Sequence, residues 1–135
     1  MKLQKLISKL EKHHKKKLDL SLGRTFNLLK KLGDPQDKLK NVITVVGTNA
    51  KASMCYSLKS ILNQGGYKTN LYTSPHLLSY TERYIFDDKE INEEDLIELL
   101  TDVEKTLGDD NATLFEILTC AFLKYAENFK DLSLI

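Results

Sequence analysis

The sequence predicts an α/β fold, a three-layer parallel sheet of the phosphate-loop type flanked by helices, and three adjacent features predict it. Val42-Ile43-Thr44-Val45-Val46 is an unbroken β-branched and apolar run, the pattern of a parallel strand covered on both faces. A polar turn with a single lysine, Gly47-Thr48-Asn49-Ala50-Lys51-Ala52-Ser53, follows at once. Met54, Cys55, Leu58, Ile61 and Leu62 then recur at helical spacing. In that order the helix aims its N-terminal amides over the turn, and Lys51 adds a full positive charge. The anion that suits such a place is a nucleotide phosphate.

Composition sets the outer bounds. A chain of 135 residues with 41% hydrophobic content suits one domain, residues 1–135, with a real core. The net charge of +1 gives no global drive toward nucleic acid or an anionic membrane. No apolar run approaches the ~18 residues of a bilayer span. The basic N-terminus lacks the apolar centre and cleavage site of a signal peptide. Cys55 and Cys120 stand apart in apolar helical contexts, so buried free thiols in a reducing cytoplasm are expected.

The remaining elements follow in order. Leu3, Leu6, Ile7 and Leu10 make one helical stripe that runs into the basic stretch His13-His14-Lys15-Lys16-Lys17, suited to a helix C-terminus. Ser21 is a candidate N-cap for a second helix carrying Leu22, Phe26, Leu29 and Leu32, closed by Gly33 and Pro35. After the central loop and helix, Gly65-Gly66 supplies a cap and residues 69–73 read as a second parallel strand. Ser74-Pro75-His76 ends that strand at the same carboxyl edge as Lys51, where ligands bind in open α/β sheets. Residues 80–88 read as a loop with a short ribbon at Tyr84-Ile85-Phe86. Asn92 caps an acidic turn and a helix with Leu96, Leu99, Leu100, Val103 and Leu107, ended by Gly108. Thr113-Leu114-Phe115-Glu116 is a capping-box pattern opening a last helix. Residues 131–135 read as a third strand, whose abrupt stop suggests the front part of a longer chain.

The general phosphate-loop pattern places glycine six residues before its lysine and another directly before it. Val45 and Ala50 hold those positions, so that pattern fails. On the loop alone, phosphate binding and an ordinary strand–helix turn both stand. The shorter loop Gly-Thr-Asn-Gly-Lys-Gly-Ser, typical of the Mur ligase superfamily, does match, with Ala50 and Ala52 in place of two glycines.

Further residues carry a closer resemblance. Leu71-Tyr72-Thr73-Ser74-Pro75-His76-Leu77 through Tyr80-Thr81-Glu82-Arg83 is similar to a signature of the dihydrofolate synthase/folylpolyglutamate synthase family. Asp19-Leu20-Ser21-Leu22 with Arg24, the loop at Gly47, and Thr113-Leu114-Phe115-Glu116 support it. The chain thus resembles the N-terminal part of that family, a partial Mur-ligase central domain. The resemblance implies an ATP-dependent ligase joining L-glutamate to dihydropteroate or a folate through an acyl phosphate. It implies that Gly47, Thr48, Asn49, Ala50, Lys51, Ala52 and Ser53 cradle the ATP phosphates, with Lys51 compensating charge during transfer. Ser74 corresponds to a magnesium ligand. Asp19, Leu20, Ser21, Leu22, Thr113, Leu114, Phe115 and Glu116 correspond to segments holding the pterin. His76, Glu82 and Arg83 lie beside the site with no definite role. ATP, the pterin or folate substrate and glutamate are the implied partners, with Mg2+, in a cytoplasmic and monomeric full-length enzyme.

Each assignment has a plain structural rival. Asp19-Leu20-Ser21 caps a helix with or without a ligand, Thr113 and Glu116 form a capping box, and Ser74-Pro75 ends a strand. Ala50 is one departure from the family. If its position needs positive φ, the methyl group costs roughly 1 kcal/mol. The family's glutamate and histidine metal ligands and its glutamate-binding domain correspond to nothing in these 135 residues. The expectation is therefore that this polypeptide alone does not catalyse ligation. A truncated, non-catalytic relict with weak nucleotide or pterin binding is the alternative. A general nucleotide-binding module is a third reading, which leaves the Ser74-Pro75-His76 run unexplained.

Overall fold

The computed structural model describes residues 2–13, 22–129 and 132–134. They divide into two compact units, one from Met1–Gln36 with Glu93–Tyr125, the other from Asp37–Asn92 with Ala126–Ile135.

The first unit is helical. Helix α1 (Lys2–His13) buries Leu3, Ile7 and Leu10, the spacing its sequence announces. Helix α2 (Gly23–Lys31) buries Leu28 and Leu29 and leaves Leu22 and Phe26 exposed, which corrects the expected Leu22–Phe26–Leu29–Leu32 stripe. The inward side is Leu28, Leu29 and Leu32. Gly33 ends α2 at φ 86°, the left-handed cap conformation glycine adopts freely. Helix α4 (Glu93–Leu107) buries Leu96, Leu99, Leu100, Val103 and Leu107. Helix α5 (Leu114–Ala126) contributes Ile117, Leu118, Cys120, Ala121 and Phe122. Lysines finish the helix ends: Lys31 Nζ donates to the Leu107 carbonyl at 3.1 Å and Lys124 Nζ to that of Leu32 at 3.3 Å.

The second unit holds a five-stranded sheet in the order β1-β5-β2-β3-β4. Its strands are β1 (Val42–Ile43), β2 (Thr69–Tyr72), β3 (Tyr84–Phe86), β4 (Lys89–Glu90) and β5 (Leu132–Leu134), with helix α3 (Lys51–Gln64) between β1 and β2. Strand β5 inserts between β1 and β2 and pairs parallel with both, so the expected parallel arrangement holds for these three. The anticipated ribbon is β3, which runs antiparallel to β2 and turns into β4. The α/β class stands, with a mixed rather than wholly parallel sheet. Asp87 and Asp88 form the turn at φ 48° and 66°, left-handed values to which aspartate adapts. The β4 strand was not foreseen, because a two-residue pairing leaves no periodicity.

Two expectations about this unit fail. The strand expected over residues 42–46 is paired only at Val42 and Ile43, and both are exposed, at 42% and 36%. Val46 is 85% exposed. Strand β1 pairs with β5 on one side and is an edge of the sheet, and of its apolar run Val45 is the residue partly covered, against Cys55 and Leu71. Likewise α3 buries Cys55, with Leu58 and Leu62 partly covered against Leu71, whereas Met54 and Ile61 face outward. Opposite α3, Tyr72 packs near Tyr84, and Phe86 stacks on Phe129 at 5.3 Å.

Candidate functional site

In the second unit, the parallel run of β1 and β2 brings their carboxyl ends to one sheet edge. The loop of residues 47–50 leaves β1 there and enters α3 at Lys51. Ala50 is the N-cap residue at φ 61°, ψ 10°, a left-handed conformation. The conditional raised by the sequence is therefore met: this position needs positive φ, and alanine occupies it. No side chain caps α3, so its leading amides stay available to an anion. Lys51 folds back so that Nζ donates to the Gly47 carbonyl at 2.6 Å, placing the ammonium over the loop. Thr48, Asn49, Ala52 and Ser53 are exposed around it.

Ser74 follows β2 at the same edge, exposed and with no hydrogen-bond partner among the described residues. Its hydroxyl is thus free to ligate a cation. The described residues contain no group of three or more His, Cys, Asp or Glu able to hold a metal. A lone hydroxyl would suit a cation that takes most of its ligands from phosphate oxygens and water.

The segment after Ser74 is tightly organised. The Glu82 carboxylate accepts the N–H groups of Leu77, Leu78 and Ser79 at 2.8, 2.8 and 2.7 Å. The Leu77 and Ser79 amides, foremost among its neighbours, hold its pKa below the usual range. Arg83 Nε donates to His76 Nδ1 at 2.9 Å, and the His76 ring lies 4.1 Å from that of Tyr80. Burial, then the Arg83 charge, lower the His76 pKa and favour its neutral form. Its proton then sits on Nε2, because Nδ1 is the acceptor. Sequence reasoning found these residues and could give them no geometry, since the ties depend on the fold of the loop.

The first unit holds the other candidate segment. Asp19, Leu20 and Ser21 lie outside the described residues, as do His14, Lys15, Lys16 and Lys17; Leu22 is exposed beside the start of α2. Thr113 and Glu116 form the anticipated capping box: the Thr113 N–H donates to Glu116 Oε2 at 2.5 Å and the Glu116 N–H to Thr113 Oγ1 at 3.2 Å. Arg24 then grips the same carboxylate, Nη2 to Oε1 at 3.1 Å and Nε to Oε2 at 3.3 Å. Burial works to raise the Glu116 pKa, but the Thr113 and Arg24 donors outweigh it and hold the carboxyl low. Leu114 opens α5 and Phe115 is 56% exposed beside it. Behind them, burial and the Glu116 charge push the Cys120 thiol up to about 12, so it stays protonated and inert. A cavity of about 210 Å³, lined by Arg24, Asn27, Asp110 and Asn111, opens in this unit. Asn27 on α2 and Asp110 and Asn111 before α5 carry no sequence signal, since solvated helix faces and turns offer the same residue types.

The strand, loop and helix, with a free hydroxyl at the same edge, have the geometry of an anion site in an α/β protein. No protein-family model matches the chain. It is 38% identical over 117 residues to dihydrofolate synthase/folylpolyglutamate synthase of Escherichia coli (strain K12), a match covering 87% of this chain and 28% of that protein. Against the dihydrofolate synthetase of Saccharomyces cerevisiae the figures are 36% over 110 residues, 80% and 26%. Among solved structures, E. coli FolC in complex with DHPP and ADP superposes with a TM-score of 0.89 at 35% identity, covering 98% of this chain and 32% of that one. The bifunctional synthase from Yersinia pestis complexed with AMPPNP and Mn ion gives 0.89 at 32%, with the same coverage. Along most of its own length the chain is thus similar to dihydrofolate synthase/folylpolyglutamate synthases, and it spans about a quarter to a third of the length of these relatives. No helix among the described residues is long and apolar enough to cross a membrane.

Proposed function

We propose that this chain supplies the phosphate loop and part of the pterin site of an ATP-dependent ligase that joins L-glutamate to dihydropteroate or a folate. The observation that carries the reading is the loop entering α3. Its leading amides are unclaimed, its lysine lies over the loop, and Ala50 takes the backbone conformation for which the family loop has glycine. In this reading Gly47, Thr48, Asn49, Ala50, Lys51, Ala52 and Ser53 surround the phosphates. Lys51 leaves the Gly47 carbonyl and offsets the charge that develops as the phosphoryl group moves to the substrate carboxylate. Ser74 adds an oxygen to the magnesium that accompanies ATP. Leu22, Thr113, Leu114, Phe115 and Glu116, together with Asp19, Leu20 and Ser21, hold the pterin end. Phe115 offers an exposed ring for stacking, and Glu116 is held ionised, against its burial, by the Thr113 amide and Arg24.

The attack of glutamate on the acyl phosphate belongs to the proposed activity of a longer, cytoplasmic, monomeric enzyme. The 135 residues alone bind without ligating. A second reading, in which the fold persists with a weakened nucleotide site, is favoured by one observation, the methyl group of Ala50 in left-handed backbone. Calorimetric titration of the chain with Mg·ATP separates the two. Binding that Lys51→Ala abolishes supports the phosphate loop; heat-silent titration that only Ala50→Gly, Ala52→Gly restores supports the weakened site. Turnover of ATP dependent on both pteroate and glutamate by the chain alone would refute the division of labour.

A further inference from the structure

We propose that His76 is a catalytic residue at the phosphate-loop edge, a neutral imidazole whose Nε2–H is offered to an oxygen of the reacting oxyanion, with Arg83 and Glu82 as its positioning residues. The inference rests on the phosphate-loop reading above and adds to it a donor on a second loop. The Arg83 Nε proton is never given up, so His76 Nδ1, which it meets at 2.9 Å, is an acceptor. A doubly protonated ring has no acceptor. The bond alone therefore makes the ring neutral, with its one proton on Nε2. That nitrogen has no hydrogen-bond partner among the described residues.

The ring is also held in place. It lies 4.1 Å from the Tyr80 ring, and the Arg83 guanidinium sits 5.1 Å from the centre of the same ring. Glu82 gathers the amides of Leu77, Leu78 and Ser79, the residues that follow His76. Three side chains thus fix one imidazole and leave its outer nitrogen open. The choice of partner decides the chemistry. A histidine that moves protons is backed by a carboxylate, which stabilises the imidazolium. Here the neighbouring carboxylate is spent on the main chain, and a guanidinium takes Nδ1. The result is a donor and not an acid, as suits an oxygen that must keep its negative charge. His76 stands two residues past Ser74, on the segment leaving the carboxyl end of β2. Two oxyanions meet in the proposed reaction, the transferred phosphoryl group and the carboxylate that receives it. Either offers the acceptor, and a fixed neutral donor steadies its charge without protonating it.

The test uses the 135-residue chain labelled with nitrogen-15, read by long-range proton–nitrogen correlation of the imidazole rings. The His76 signals are those lost in His76→Ala. Without ligand they should show the Nε2–H tautomer, and Arg83→Ala should mix in the Nδ1–H form. A tautomer unmoved by that substitution would overturn the positioning role. The His76 Nε2 signal is expected to shift with Mg·AMPPNP if the acceptor is the phosphoryl oxygen, or with pteroate if it is the carboxylate. Mg·ADP should leave it in place; an equal shift with Mg·ADP would overturn the assignment to the reacting oxygens. His76→Ala should bind the probe that shifts the signal about tenfold more weakly, the loss of one hydrogen bond to a charged oxygen. His76→Gln, whose carboxamide N–H reaches the place of Nε2–H, should recover most of that loss. Because the shifts are read in the unsubstituted chain, a variant that fails to fold does not silence the experiment. If Mg·AMPPNP moves the Lys51 and Ser53 amides while neither probe moves His76 Nε2, the inference falls and the phosphate-loop reading stands. No response of either loop to millimolar nucleotide or pteroate would overturn both.

Discussion

Arg24 and Glu116, ninety-two positions apart, are joined by two hydrogen bonds that fix the start of α5 to α2 within the helical unit. The carboxylate also closes the Thr113 capping box, so one side chain serves a local and a long-range task. Both side chains are mostly buried, at 15% and 12% exposure. Removing the arginine leaves a covered carboxylate short of donors. Arg24→Ala should destabilise the chain by about 2 kcal/mol in urea unfolding. Glu116→Gln, which keeps an acceptor for Thr113, should cost about 1 kcal/mol. The pair should couple in a double-mutant cycle.

The same carboxylate sets an acid limb. Its folded pKa lies below the ordinary 4.5, so between those values the unfolded chain binds more protons than the folded one. The stabilisation is complete above pH 4.5 and is lost as pH falls through the folded value. The stability gap between wild type and Glu116→Gln should therefore be constant near neutrality and close on acidification. A gap that widens below pH 4.5 would contradict the sign of the shift.

Ala50 supplies a prediction with opposing terms. Left-handed backbone costs a non-glycine residue ~1–2 kcal/mol, and glycine carries about 0.5–1 kcal/mol more chain entropy to lose. Ala50→Gly should gain about 0.5–1 kcal/mol of stability, read as a higher urea midpoint at unchanged slope. In Ala52→Gly the substitution falls within α3, where glycine should lose up to ~1 kcal/mol.

The corrected face of α3 is checked by a contrast. Leu71→Ala removes a fully buried side chain and should cost about 2–5 kcal/mol. Met54→Ala, on the outward side, should stay within about 0.5 kcal/mol.

What the sequence revealed and what it hid divide along a physical line. Helices with a dense apolar stripe, such as α1 and α4, were legible because burial and periodicity coincide. The capping box at Thr113 was legible because its partners are three residues apart. The exposure of Val42, Ile43 and Val46 was not, because an apolar run looks alike in the middle and at the edge of a sheet. Loop 47–53 and Ser74 were placed at one edge by topology alone, and the structure keeps them there. The grip of Arg24 on Glu116 and the turn residues around the cavity depend on distant segments meeting, which no local pattern encodes.

The bond from Lys51 to the Gly47 carbonyl means that the loop carries its own tenant. A phosphate arriving there does not fill an empty place but evicts a main-chain oxygen, and its affinity is the difference between two contacts of the same ammonium. The resting contact is between an ion and a dipole, whereas the incoming one is between two ions. Added salt screens the second far more than the first. Rising ionic strength therefore tips the exchange back toward the self-bound loop, and nucleotide occupancy should track salt even where the fold is indifferent to it.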